Sequence, residues 1–105
     1  MIVLVTGASS GFGAAIASRF VREGHRVIAA GRRADRLDQL AGRLGRDRVH
    51  PLVLDVRDRG AVAQAIEGLP ADLSAIDVLV NNAGLALGLE PAQFADLDAW
   101  DTMVE

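Results

Sequence analysis

The 105-residue sequence has no cysteine and no tyrosine, and its eleven basic residues are all arginine, so lysine is missing as well. Without cysteine there is neither a disulfide framework nor a thiolate metal site, a composition that suits a reducing compartment. Any chemistry that needs a phenol or a side-chain amine is incomplete within these residues. No apolar run is long enough to span a bilayer. Met1 is followed at once by Ile2-Val3-Leu4-Val5, with no basic stretch before it, so the start does not read as a secretory signal. These absences predict a soluble, cytoplasmic protein without a membrane partner. The formal charge of −3 argues against nucleic acid as a partner. The arginines all lie between Arg19 and Arg59, and every formal charge from Gly60 onward is acidic.

Half of the residues are hydrophobic, which excludes a disordered tail, and the length suits one domain rather than two. Strand-length apolar runs alternate with helix-period segments, the pattern of a parallel α/β sheet. The first strand is read at Ile2–Val5. A helix follows from about Gly11 to Glu23, with Ile16 and Phe20 facing the sheet and Gly24 suited to the left-handed position after it. The second strand is Val27–Ala30. The second helix carries Leu37, Leu40, Ala41 and Leu44 on one face and stops at Gly45. The third strand, Val49–Leu54, contains Pro51, which cannot donate to a ladder and so predicts an edge. A half-Rossmann sheet of order 3-2-1-4 puts the third strand at that edge too. Asp58 is positioned to cap a third helix whose apolar face is Val62, Ala65, Ile66 and Leu69. The fourth strand, Ile76–Val80, runs into Asn81-Asn82-Ala83-Gly84. A loop with Pro91 and the start of a last helix, about Leu97 to Glu105, are expected after it, leaving the fourth strand with an unpaired edge.

Between the first strand and the first helix stands Thr6-Gly7-Ala8-Ser9-Ser10-Gly11-Phe12-Gly13. Glycines there let the backbone turn tightly and approach a pyrophosphate without a Cβ in the way. The helix N-terminus offers unpaired N–H groups to an anion, and Ser9 and Ser10 are hydroxyl donors. The spacing is Gly-x-x-x-Gly-x-Gly rather than the Gly-x-Gly-x-x-Gly of the dinucleotide fingerprint. In this form it resembles the cofactor loop of the short-chain dehydrogenases/reductases, and Asn81-Asn82-Ala83-Gly84 resembles that family's second signature. The resemblance covers the whole chain. It implies a Rossmann-type doubly wound sheet, here its N-terminal half, with the loop from Gly7 to Gly13 on a nicotinamide dinucleotide. It further implies that the Asp55 carboxylate and the Val56 backbone meet the adenine edge, that Asn81 and Asn82 serve the adenosine side, and that Gly84 lets the backbone pass close by.

The end of the second strand reads the adenosine ribose: an acidic residue accepts from the 2′-hydroxyl of NAD, whereas an arginine accommodates the 2′-phosphate of NADP. Here the strand ends Ala30-Gly31-Arg32-Arg33, with no carboxylate. The guanidinium fork suits phosphate oxygens, so Arg32 and Arg33 point to NADP. Within the family, the stretches MIVLVTGASSGFG, GHRVIAAGRR and IDVLVNNAGLALGLEPA are similar to NADP-dependent 3-hydroxy acid dehydrogenases. That likeness implies a small 3-hydroxy acid as substrate, with Leu85 to Pro91 at the pocket rim; a steroid, sugar or acyl-carrier substrate stays open on fold grounds.

The family's mechanism needs a tyrosine as acid/base, a lysine four residues on and a nearby serine. Tyrosine and lysine are missing, so no catalytic residue is assigned. The expectation is one truncated NADP-binding half-domain, residues 1–105, of an oxidoreductase for which a homo-oligomer stays open at full length; the alternative is a non-catalytic NADP-binding or assembly module. His25 and His50 have no ligand partner at metal spacing and are read as surface or strand-end residues. Asp72 and Asp77 show no sign of an acid/base pair. Trp100 and Met103 are read as core or subunit contacts.

Overall fold

The computed structural model describes residues 1–82 and the backbone of the strand at residues 93–95. Among the described residues, five strands and three α-helices follow one another as β1 (Ile2–Thr6), α1 (Gly11–Arg22), β2 (Arg26–Gly31), α2 (Ala34–Leu44), β3 (Val49–Val53), α3 (Arg59–Glu67), β4 (Val78–Asn81) and β5 (Gln93–Ala95), with a 3-10 turn at Ala71–Leu73 before β4. The sheet order is β3-β2-β1-β4-β5. The first four strands are parallel, in the half-Rossmann order 3-2-1-4 that the sequence pattern predicts.

Strand alternation sorts the core into two layers. Successive strand side chains point to opposite faces, so Val3 and Val5 of β1 join Val27, Ala29 and Val49 beneath α1 and α2. Leu4, Ile28 and Leu79 face the other way, against Val62 of α3, Leu69, Leu73 and Ile76. Both faces are therefore covered, which is why the strands read as continuous apolar runs. The deepest line of α1 is Gly13 and Ala17, one turn apart. Ile16 and Phe20, expected on the sheet-facing side, are partly buried and flank that line. The small pair is what lets the helix N-terminus come down close to the end of β1.

The ends of the helices follow from local chemistry. Ser10 caps α1 by accepting from the Gly13 N–H, and Asp58 caps α3 by accepting from the Ala61 N–H. Gly24, after α1, has φ +91° and fits the left-handed turn expected of it. Asp77 accepts from the Ile2 N–H at 2.8 Å, and Asp72 pairs with Arg26 at 2.9 Å. Both carboxylates thus brace the opposite end of the sheet from the glycine loop.

Pro51 lies on β3, which is hydrogen-bonded to β2 and ends the strand order. The expectation for β4 is corrected: it does not end the sheet, because Gln93–Ala95 pairs with it antiparallel, Val80 opposite Phe94. A strand edge carries unmet N–H and C=O groups that favour such pairing. Three residues are too few for an alternation signal, so the sequence reads as loop there. Gly84, the segment from Leu85 to Pro91 and the helix read from Leu97 lie outside the described residues. Among the described residues, no helix is long and apolar enough to cross a membrane.

Candidate functional site

The carboxyl ends of β1, β2, β3 and β4 converge on one cleft. It is lined by Gly7, Ser9 and Ser10 after β1, by Gly31 and Arg32 at β2, by Leu54 to Arg57 after β3, and by Asn82 after β4. Open α/β sheets bind ligands at this rim, beside the strand where the order reverses. Here β1 is that strand, with β2 on one side and β4 on the other.

The glycine loop is shaped by contacts within the chain. Gly7 has φ +63°, a left-handed turn out of β1. The Ala8 N–H donates to the Ala30 carbonyl at 2.9 Å, tying the loop to β2. Gly31 is buried, and a Cβ on it would stand 2.8 Å from Ser9 Oγ and 3.3 Å from Ser9 N, so the missing side chain lets the loop lie closely on the end of β2. At Gly13 a Cβ would collide with the Gly7 carbonyl and stand 2.8 Å from Asn82 Nδ2. Gly11 differs: a Cβ on it would meet nothing within 4 Å, and its φ is not positive. Among the described residues, packing gives no reason for glycine at position 11; the open space over the start of α1 is a place a close-lying ligand would fill.

Ser10 Oγ donates to the Gly7 carbonyl at 2.8 Å and accepts from Gly13 N and Asn82 Nδ2, each at 3.1 Å. A hydroxyl has one proton and two lone pairs, so Ser10 is saturated. In this arrangement Ser10 braces the loop from the cleft wall, and Ser9 beside it also lines the cleft. Asn82 Nδ2 also donates to the Gly7 carbonyl at 3.1 Å, clamping the loop from the end of β4. Asn81 is buried, and its Oδ1 accepts from Thr6 Oγ1 at 2.9 Å. It joins β1 to β4 below the cleft rather than lining it. Phe12, on the first turn of α1, is exposed.

The two arginines after β2 part company. Arg32 lines the cleft, whereas Arg33 caps α2 with its backbone and leans toward Asp35, Nε to Oδ1 3.7 Å. Asp55 and Val56 both line the cleft. The Asp55 carboxylate is held by Arg57, with Nη2–Oδ2 2.8 Å, Nε–Oδ1 3.0 Å and the Arg57 N–H to Oδ1 3.0 Å. These hydrogen bonds keep the Asp55 carboxyl ionised down to about pH 2, its pKa lowered from the usual 3.8. Thr6 and Arg57 are site-shaping residues that the sequence reading passes over. Thr6 stands in the glycine motif itself. Arg57 is signalled only by lying two residues from Asp55.

The donor set fits a dinucleotide: backbone N–H groups at a helix start, a cation at the ribose end of β2, and a carboxylate and backbone after β3. Comparison with known proteins agrees. The family profile for short chain dehydrogenases matches residues 1–105. The chain is 57% identical over 105 residues to the NADP-dependent 3-hydroxy acid dehydrogenase YdfG of Salmonella typhimurium, covering all of this chain and 42% of that protein. It is 52% identical over 103 residues to the serine 3-dehydrogenase of Rhizobium radiobacter, covering 98% of this chain and 41% of that one. The crystal structure of serine dehydrogenase from Escherichia coli matches with TM-score 0.77 and 54% identity over 99% of this chain and 47% of the other. The closed form of serine dehydrogenase complexed with NADP+ matches with the same score and identity over 99% and 42%. The chain therefore spans less than half the length of these relatives. Over the length it does span, it belongs to the short-chain dehydrogenase family.

Proposed function

We propose that this chain supplies the adenosine and pyrophosphate side of the cofactor site in an NADP-dependent oxidoreductase acting on a small 3-hydroxy acid. The observation that carries the reading is Arg32, on the cleft rim at the end of β2, where an NAD-binding site would hold a carboxylate. Arg32 receives the 2′-phosphate; Arg33 joins it by leaving Asp35. The N–H groups at the start of α1 and the Ser9 hydroxyl hold the pyrophosphate, and Asp55 and Val56 meet the adenine edge. The bound cofactor supplies the hydride acceptor or donor. The substrate class rests on the relatives named 3-hydroxy acid and serine dehydrogenases. With neither tyrosine nor lysine in the chain, the 105 residues alone are expected to bind the cofactor end without turning over a substrate.

The test is made on the intact natural protein. A hydrogen bond to a charged group contributes about 1.5–3 kcal/mol, so Arg32→Ala should weaken NADP roughly ten- to a hundred-fold and leave NAD nearly unchanged. Arg33→Ala should cost less. L-serine, L-allo-threonine and 3-hydroxypropionate should be turned over in preference to a secondary alcohol or a 3-oxoacyl thioester. Equal loss of NAD and NADP in Arg32→Ala would remove the cofactor assignment. Preference for either of the last two substrates would remove the 3-hydroxy acid.

A second reading is a non-catalytic NADP-binding module. Tight NADP binding by the intact protein, with no turnover on any member of that panel, would select it.

A further inference from the structure

Three charged side chains line the cleft together: Arg32 after β2, and Asp55 and Arg57 after β3. A carboxylate is an awkward neighbour for a phosphate. Left uncompensated, Asp55 would repel a 2′-phosphate dianion and draw the Arg32 guanidinium toward itself. Arg32 already acts on Asp55 across the cleft, more weakly than Arg57 does. Arg57 meets that difficulty directly. Its guanidinium spans both carboxylate oxygens, Nη2 to Oδ2 at 2.8 Å and Nε to Oδ1 at 3.0 Å, while its own N–H fixes Oδ1 at 3.0 Å. The Arg57 side chain is 58% exposed, and exposed ion pairs add little to stability.

We propose that Arg57 is a positioning residue for cofactor selectivity: by anchoring and neutralising Asp55, it keeps Arg32 available to the 2′-phosphate of NADP. The inference rests on the NADP reading above. Arg57 acts through Asp55 and need not touch the cofactor. Its effect therefore appears in the ratio of NADP to NAD affinity, because only NADP carries charge at the 2′ position. Removing the Asp55 charge should make Arg57 dispensable for that ratio.

The experiment measures dissociation constants for NADP and NAD on the intact protein in four forms: wild type, Arg57→Ala, Asp55→Asn and the double variant. Asp55→Asn keeps an amide oxygen to accept from the Arg57 N–H and from the adenine. The affinity ratio should fall about tenfold in Arg57→Ala, as expected for a unit charge returned near a dianion at a partly exposed site. It should return close to the wild-type value in the double variant. An unchanged ratio in Arg57→Ala would overturn the proposal. So would a fall that the double variant does not reverse, since Arg57 would then be contacting the phosphate itself. Equal weakening of both cofactors, the mark of a stacking or loop-supporting role, would overturn it too. If wild type prefers NAD, the NADP reading fails and takes this one with it. If wild type prefers NADP and only the Arg57 result is negative, the NADP reading stands. Thermal unfolding midpoints guard against a folding defect, and Arg57→Gln carries the same test should Arg57→Ala not fold.

Discussion

Gly11 and Gly13 stand two residues apart in one loop, yet glycine is needed at each for a different reason. A methyl group at position 13 has no room: it would lie 2.7 Å from the Gly7 carbonyl carbon and 2.8 Å from Asn82 Nδ2. Backbone on one side and a clamped amide on the other leave nothing cheap to move. Gly13→Ala is therefore expected to lower stability by about 1–3 kcal/mol, the usual cost of overpacking, and to disturb the loop with it. A methyl group at position 11 meets nothing within 4 Å among the described residues. Gly11→Ala should leave stability unchanged or raise it by up to about 1 kcal/mol, by restricting the unfolded chain, while weakening the dinucleotide. Chemical denaturation and cofactor titration of the two variants check this. If Gly11→Ala leaves cofactor affinity at the wild-type value, the open space above α1 is not where the pyrophosphate lies.

The elements most legible in the sequence are those whose pattern repeats. β1, β2 and the apolar face of α2 carry enough aliphatic residues at one period to be placed within a residue or two. Pro51 puts β3 at an edge, because a missing donor has a definite structural meaning. Asp58 is readable as a cap from its place before Val62, and its carboxylate does accept from the Ala61 N–H at 3.1 Å. Asp58→Ala should lower stability by about 0.5–2 kcal/mol, whereas Asp58→Asn should be nearly neutral; urea unfolding distinguishes them, and equal midpoints for all three proteins would show the cap to be idle. Less legible is whatever depends on distant residues meeting. β5 exists through pairing with β4, not through its own three residues. Ser10 and Asn81 look alike as polar residues of a motif, yet Asn81 is buried against Thr6 while Ser10 stays at the cleft, braced by Gly7 and Asn82. The clasp of Arg57 on Asp55 is local in sequence, yet arginine at a turn carries no signal until the cleft beside it is known.

Taken whole, the molecule is acidic, with a formal charge of −3, while its cleft presents two arginines and a single, neutralised carboxylate. That arrangement limits what can titrate near a bound cofactor. Asp55 has a carboxyl pKa of about 2, below its ordinary 3.8. A depressed acid keeps its stabilising charge above the ordinary value and loses it only as pH falls through the lower one. The Asp55–Arg57 pair is thus constant from pH 5 upward. His25 precedes β2 and His50 lies early in β3; neither lines the cleft. Between pH 5 and 8 the group expected to change is the cofactor's own 2′-phosphate, whose second ionisation lies near 6 by analogy with other phosphate monoesters. NADP affinity should fall as pH drops, approaching about tenfold per unit well below that value if only the dianion binds, and NAD affinity should stay flat. Parallel titrations of both cofactors at pH 5, 6 and 7.5 check this; a matching decline for NAD would place the titrating group on the protein.

The Asn82 clamp carries a consequence for how the site comes into being. Asn82 reaches Gly7 across 75 positions of sequence and Ser10 across 72. Contacts of such long separation form late, after the intervening chain has closed its loop. A nascent β1–α1–β2 unit already holds every glycine of the motif, yet the amide that steadies the Gly7 carbonyl arrives only when β4 docks beside β1. The ability to recognise phosphate is then acquired in the same event that joins the sheet across its switch strand. A half-assembled chain would carry the motif without the receptor, and the cofactor would select for molecules in which assembly is already complete.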